Sequence, residues 1–315
     1  MIVTVTMNPS IDISYPIKNL KLNDINRVSQ VSKTAGGKGL NVTRVIHELG
    51  GSVKATGIVG GHLGNQIKDQ LDSASIEHDF YPILQETRNS IALLHDDHSQ
   101  TEILESGPTV TETEVEGFVE VFQRLLSKTN LLTISGSLAK GFPVDFYVRL
   151  IMLAKEKGID TLLDTSGEAL KEVLKGKTKP KLIKPNLTEL SDLLQTQLDS
   201  KQPEKLKQAL NHSLFKGVEW IVVTLGGDGA IVKHNDLFYR ATIPKINVVN
   251  PVGSGDATIA GLAYALSRYD SDEKTIKTGM TTGVLNALES MTGHINTDDF
   301  QKLYNQIEVS SLCTL

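Results

Sequence analysis

The stretch Asn250-Pro251-Val252-Gly253-Ser254-Gly255-Asp256 sets a carboxylate in a glycine turn that opens a helix of small residues, among them Ala260, Gly261, Ala263 and Ala265. A Gly-Ser-Gly turn entering a helix leaves backbone N–H groups unpaired and pointing one way, and the helix dipole adds to their pull on negative charge. Asp256 stands among those donors. An anion hole with a carboxylate at its lip suits phosphoryl transfer to an alcohol, which needs donors for developing charge and a base for the hydroxyl proton. The same carboxylate could equally complement the dipole of a first helical turn, with no chemistry attached. Gly253, Ser254, Gly255 and Asp256 form the candidate catalytic group.

Other loops carry related signals. In Ala35-Gly36-Gly37-Lys38-Gly39-Leu40-Asn41 the glycines allow close backbone approach, Lys38 adds charge and Asn41 can reach a hydroxyl, though a flexible helix start reads the same way. Asn186 and Glu189, three apart after a strand, suit either a capping box or the ordering of Mg²⁺-bound water near nucleotide phosphates. Thr224-Leu225-Gly226-Gly227-Asp228-Gly229 fits a nucleotide rim or a plain hairpin turn. The common nucleotide fingerprints fail. A Walker A loop would need glycine at Ser32 and Ser or Thr at Gly39, and a dinucleotide turn would need glycine at Val42 or Thr258.

The elements that position these loops alternate along a chain of 315 residues, 39% hydrophobic and 22% charged, with a formal net charge of -5. The mild acidity argues against nucleic acid or anionic membrane as a partner, so affinity for a phosphorylated ligand must come from local basic residues. The single Cys313 leaves no intrachain disulfide, which fits a reducing cytoplasm. The N-terminus does not read as a signal peptide, and no apolar run reaches the roughly 20 residues of a membrane helix.

Ile2–Thr6 reads as a β-branched opening strand stopped by Asn8-Pro9, with Asp12 at its exit. Residues 13–34 and 88–105 read as strands of a small exposed sheet, the latter pair around a polar turn at Asp96–Gln100, together making a lid. Helices are expected at 40–49, 65–74, 112–128, 143–157, 167–174, 187–197, 203–213, 255–268, 272–290 and 297–306. Strands are expected at 54–59, 131–135, 161–164, 181–184 and 220–224, with a hairpin around 229–242. Strands separated by helices predict an α/β fold over residues 1–315 as one unit. Its mostly parallel central sheet would carry helices on both faces and ligands at the carboxyl ends of the strands.

Taken in order, Gly36-Gly37-Lys38-Gly39-Leu40-Asn41, Lys184-Pro185-Asn186-Leu187-Thr188-Glu189, Thr224-Leu225-Gly226-Gly227-Asp228-Gly229 and Asn250–Asp256 resemble the signatures of the PfkB sugar kinases, of ribokinase-like fold. The resemblance covers essentially the whole length. At Asn8–Asp12, Thr34–Asn41, Glu86-Thr87-Arg88-Asn89 and Asn250–Gly253 the chain is similar to the tagatose-6-phosphate kinases, close kin of the 1-phosphofructokinases.

The resemblance implies ATP and Mg²⁺, a ketohexose phosphate as acceptor, Asp256 as the base and Gly253–Gly255 as the anion hole. It places Asp12, Gly37 and Asn41 on sugar hydroxyls. Lys38 and Arg88, with Arg27 and Ser137 behind them, fall near the substrate's phosphate. Lys184, Asn186, Thr224, Gly226 and Gly229 fall on the nucleotide, with Asn286 an adenosine contact, and Glu189, Asn186 and Asp164 on the metal. The small sheet would close over the sugar and offer a homodimer interface. Tagatose 6-phosphate phosphorylated on O1 is the first expectation and fructose 1-phosphate phosphorylated on O6 the alternative. A catalytically silent sugar-phosphate sensor is a remoter reading. The chain departs from the family pattern at Asn250, where many relatives carry Asp, and at Ser254, where they carry Ala. The first change puts a monovalent-cation site in doubt.

Overall fold

A computed structural model describes residues 1–96 and 99–312. In chain order the strands are β1 (Ile2–Thr6), β2 (Ser10–Ile17), β3 (Ser32–Gly36), β4 (Val53–Gly60), β5 (Glu77–Ile83), β6 (Arg88–His95), β7 (Ser99–Leu104), β8 (Leu131–Ser135), β9 (Asp160–Asp164), β10 (Leu182–Ile183), β11 (Trp220–Thr224), β12 (Ala230–His234), β13 (Leu237–Thr242) and β14 (Glu308–Ser311). The helices are α1 (Lys38–Glu48), α2 (Gly61–Ser73), α3 (Glu112–Leu126), α4 (Phe146–Glu156), α5 (Gly167–Lys175), α6 (Leu187–Leu194), α7 (Pro203–Leu210), α8 (Ser254–Ser267), α9 (Asp272–Leu288) and α10 (Phe300–Tyr304).

A ten-stranded sheet runs β14-β13-β12-β11-β10-β9-β8-β1-β4-β5. From β11 to β5 all neighbours are parallel, and β12, β13 and β14 add an antiparallel edge. Both faces are covered, as parallel strands require. Ile221 and Val223 join the core with Phe118, Phe122, Phe146 and Tyr147 of α3 and α4. Trp220 and Val222, one residue out of phase, join the opposite core with Val45 of α1, Ala260 of α8 and Met280 of α9. That period-two split is the signature of a strand buried on both sides. The expected α/β architecture is what the chain adopts.

A separate four-stranded sheet runs β3-β2-β6-β7. Its central pair, β2 and β6, is parallel, with antiparallel neighbours on either side. Ile11, Ile13 and Ala35 seat it on α1 and α2 through Leu40, Ile67 and Leu71. Pairing of β2 with β3 stops at Ser14, ahead of Pro16, which has no N–H to give.

Some boundaries differ from the sequence reading. The small sheet starts at Ser10, so Asp12 lies inside β2, and residues 18–31 carry no strand. β5 was not anticipated because its sequence, EHDFYPI, is polar and holds a proline that only an edge tolerates. β14 was missed, and the helix expected at 297–306 is the short α10 behind a 3₁₀ turn. Two residues of the expected polar turn, Asp97 and His98, and Cys313 lie outside the described residues. Among the described residues no helix is long and apolar enough to cross a membrane.

Candidate active site

A cavity of about 830 Å³ opens over the carboxyl ends of the central strands. β9 ends at Asp164, Lys184 follows β10 and β11 ends at Thr224, so each strand delivers its last polar residue to this rim. Gly226 and Gly229 of the next turn, and Asn186 and Glu189 at the start of α6, line the same cavity. From the other side come Asp12 on β2, Gly37, Lys38 and Asn41 around the start of α1, and Arg88 on β6. Between them lie Gly253, Ser254, Gly255 and Asp256.

α8 begins at Ser254, with Gly253 in the left-handed region at φ 85°. A side chain there would be strained, and its Cβ would stand 2.6 Å from Thr292 Cγ2 and 3.0 Å from the Gly293 nitrogen. Among the described residues, the N–H groups of Gly255 and Asp256 have no protein acceptor, and the buried Ser254 hydroxyl also lacks a partner. α8 reaches this close to α9 because its small residues allow it: a Cβ on Gly261 would meet Thr282 Oγ1 at 2.3 Å.

Asp256 is 6% exposed and accepts a hydrogen bond from Asn41 Nδ2 at 2.8 Å. Burial, and then the neighbouring charge of Asp164, push its carboxyl up to about 6 against the opposing pull of Lys38, Asn41 and Lys184. Lys184 is itself buried, 3.3 Å from Asp164 Oδ2, and a Cβ on Gly255 would meet its Nζ at 3.2 Å. The ammonium therefore sits at the mouth of the glycine turn. Lys38 Nζ lies 4.0 Å from Asp164 Oδ1, and that carboxylate holds its ammonium above the ordinary range. Asp12 accepts from Ser10 at 2.6 Å, and burial raises its carboxyl.

A smaller cavity of about 180 Å³ adjoins the first, sharing Gly37, Lys38 and Arg88. Its remaining wall is rich in hydroxyls and amides: Thr6, Asn8, Ser135, Ser137, Thr165 and Ser166. Buried Thr6 Oγ1, Asn8 Oδ1, Ser135 Oγ and Arg88 Nε have no partner, a concentration of unspent hydrogen-bonding capacity. Sequence reasoning reached Ser137 here but passed over Thr6, Ser135, Thr165 and Ser166. Their signal, hydroxyls at or just after strand ends, is too common to single out.

Asn186 and Glu189 form the capping box: Glu189 N–H donates to Asn186 Oδ1 at 2.8 Å and Asn186 N–H to Glu189 Oε2 at 2.9 Å. Both also line the large cavity. Two sequence-predicted residues are not on either wall. Arg27 is exposed in the 18–31 segment. Asn286 is fully buried, donating to Val252 O at 2.9 Å and accepting from Gly293 N–H at 2.8 Å, so its amide braces the glycine turn. Met280, Gly283, Val284 and Ala287 of the same helix α9 face the cavity instead.

A buried carboxylate beside a turn of free N–H groups, with lysines around it, brings together the groups that phosphoryl transfer needs. The sequence model of the pfkB family carbohydrate kinases matches residues 5–299, so the chain belongs to that family. It is a carbohydrate kinase with the ribokinase-like fold. Similar solved structures include a candidate phosphofructokinase from Staphylococcus aureus, 31% identical with TM-score 0.84 over 99% of both chains. Phosphofructokinase-2 from Escherichia coli, solved in complex with potassium, is 27% identical with TM-score 0.88, covering 96% of this chain and 98% of that one. A candidate 1-phosphofructokinase from Thermotoga maritima is 25% identical with TM-score 0.89, covering 99% and 100%.

Proposed function

We propose that the chain transfers the γ-phosphoryl group of ATP to a primary hydroxyl of a ketohexose monophosphate, with tagatose 6-phosphate, phosphorylated on O1, as the preferred acceptor. The observation that carries this is the pairing of two features. Asp256, held by Asn41 at the mouth of the glycine turn, faces the large cavity, while Lys38 and Arg88 border a second, hydroxyl-lined cavity sized for an anionic group. A sugar with its phosphate at one end and a free primary alcohol at the other fits both.

Asp256 takes the hydroxyl proton as the sugar oxygen bonds to the γ-phosphorus, and the bond from that phosphorus to the bridging oxygen breaks to leave ADP. A carboxyl pushed up to about 6 is a stronger base than an ordinary aspartate and is still mostly ionised at neutral pH. The free N–H groups of Gly255 and Asp256 and the Lys184 ammonium face the charge that develops on the transferring group. Arg88, with its Nε unspent, and Lys38 hold the substrate's phosphate, while Asp12 and Asn41 take its ring hydroxyls. Lys184, Asn186, Thr224, Gly226 and Gly229 border the nucleotide. Mg²⁺ fits Asp164, a carboxylate on the cavity wall paired with Lys184 at 3.3 Å, and the water-ordering pair Asn186 and Glu189 on the same wall. When bound it would neutralise phosphate charge. A Mg²⁺ site keeping most of its waters needs only one or two carboxylates.

Fructose 1-phosphate is the second reading, favoured by the likeness to the Thermotoga protein, since it too separates a phosphate from a primary alcohol. The exposed Ile103 and Leu104 on β7 suit the small sheet to pairing with a second copy, which light scattering would detect. The deciding assay is ADP release with tagatose 6-phosphate, fructose 6-phosphate, fructose 1-phosphate and the unphosphorylated sugars, with the product located by phosphorus NMR. Turnover only on unphosphorylated sugars would overturn the substrate class.

A further inference from the structure

An asparagine amide has a donor end and an acceptor end of nearly the same shape, and only its partners decide which way it points. Asn41 turns its donor end to Asp256, with Nδ2 2.8 Å from Oδ2. Flipped, it would set an oxygen against the carboxylate in a buried site. The partner at its other end is Arg44, one turn further along α1, whose Nη2 donates to Asn41 Oδ1 at 2.5 Å. A guanidinium carries five donors and no acceptor, so it can satisfy only the oxygen of that amide.

Resting on the reading of Asp256 as the base, we propose that Arg44 is a positioning residue: it locks the Asn41 amide so that the NH₂ holds Asp256 Oδ2 and leaves Oδ1 to the acceptor hydroxyl. The rest of its fork ties that lock to the surrounding loops. Nη1 donates to Ala35 O at the end of β3, Nη2 also to Thr292 O at 3.1 Å, and Nε to Gly293 O at 3.2 Å. The turn it grips is the one against which Gly253 rests, and Gly293 lies so close to Asn41 that a Cβ there would stand 2.7 Å from Asn41 Cβ. One side chain thus joins the small sheet, the partner of the base and the brace of the anion turn. Its charge faces Asp12, Glu48 and Asp256, but among the described residues every hydrogen bond it makes goes to a carbonyl or amide oxygen. A lysine, with one point of donation and no rigid fork, cannot reproduce the set.

The test combines Arg44→Met, which keeps the aliphatic stem, with Asn41→Ala and the double variant, assayed on the best acceptor. Arg44→Met is expected to lower kcat about 10- to 100-fold while leaving KM for ATP within about twofold, the cost of a misplaced base rather than of lost binding. If Arg44 acts through Asn41, the double variant loses no more than about twofold beyond Asn41→Ala alone. Losses that multiply would overturn the proposal, because Arg44 would then act independently of the amide. A second measurement needs no substrate. The ¹⁵N-labelled side-chain amide of Asn41 always gives two proton signals, because rotation about its C–N bond is slow; in the wild type they should exchange slowly with solvent, and in Arg44→Met, or in Arg44→Lys if that variant does not fold, they should shift and exchange faster. Unchanged amide signals in the folded variant would also overturn it. Asp256→Asn separates the two ideas: if that variant retained turnover, the base assignment would fall, while the amide signals would still decide what orients Asn41.

Discussion

Replacing Asp256 with asparagine changes one atom and removes one charge, and it is expected to move activity and stability in opposite directions. The carboxyl is 6% exposed and its pKa rises from 3.8 to about 6, first by desolvation and then by Asp164. A folded-state pKa above the unfolded value means that folding binds the proton more tightly than the unfolded chain does. The associated stability is full below about 3.8 and is lost as pH climbs through about 6. Two units at about 1.4 kcal/mol each make the ionised carboxylate a burden of about 2–3 kcal/mol at pH 8. Asp256→Asn escapes that burden, and its amide oxygen can still accept from Asn41 Nδ2. Its advantage over the wild type is expected to grow by about 2–3 kcal/mol between about pH 4 and pH 8, or about 3–5 °C in melting temperature. Turnover should meanwhile fall about 10²–10⁴-fold, or roughly 3–5 kcal/mol of barrier, with ATP binding retained. Urea titrations at several pH values and ADP-release kinetics read the two arms. A stability difference that ignores pH would refute the argument from buried charge, and turnover within tenfold of wild type would remove Asp256 from the chemistry.

Arg88→Ala is expected to raise KM for the phosphorylated sugar by about 10- to 100-fold, from a lost charge-assisted contact of roughly 1.5–3 kcal/mol, with KM for ATP nearly unchanged; the reverse pattern would move Arg88 off the sugar side. Gly253→Ala, forced to φ 85° with its Cβ 2.6 Å from Thr292 Cγ2, should cost about 1–2 kcal/mol for the backbone conformation alone, and a melting curve matching wild type would contradict the geometry. Exchanging K⁺ for a bulky organic cation at constant ionic strength should leave most turnover intact. The neutral Asn250 spends its Nδ2 on Ser290 O and its Oδ1 on Val252 N–H, and loss of most activity would mean that a cation binds there through other oxygens. On kcat/KM, tagatose 6-phosphate should outrank fructose 6-phosphate by roughly ten- to a hundredfold, mainly through KM, because an epimer's misdirected hydroxyl can recruit water; fructose 1-phosphate ranking first by a wide margin would overturn the substrate assignment alone.

The central sheet was legible in the sequence because its strands are short apolar runs between helices, and burial on both faces keeps those runs unambiguous. Trp220–Thr224 was placed to the residue, and the expected partnership of the 13–34 and 88–105 segments appears as β2 beside β6, whose parallel direction the sequence did not show. What escaped were strands whose register is set by tertiary pairing instead of composition. Glu77–Ile83 becomes a strand because β4 offers it a ladder from Lys54 to Gly60, and Glu77 and His78 can point out of an edge without cost. Glu308–Ser311 likewise exists as the partner of Tyr239–Thr242. Neither segment has an alternation strong enough to announce itself.

The candidate site divides along a similar line. Motifs announce a function when consecutive residues carry it: the Gly253–Asp256 turn, the Gly37–Asn41 helix start and the Asn186–Glu189 pair all converge on one cavity. A position is silent when it works by gripping backbone atoms that arrive from elsewhere in the chain. Asn286 looked like a late-helix ligand contact, yet both ends of its amide are committed, one to Val252 O and the other to Gly293 N–H. Arg44 drew no attention in the sequence, and its acceptors sit at residues 35, 41, 292 and 293. No spacing rule links those numbers. They meet because α1 packs between the small sheet and α8, so the contacts that surround the Asn41–Asp256 hydrogen bond exist only in the folded chain.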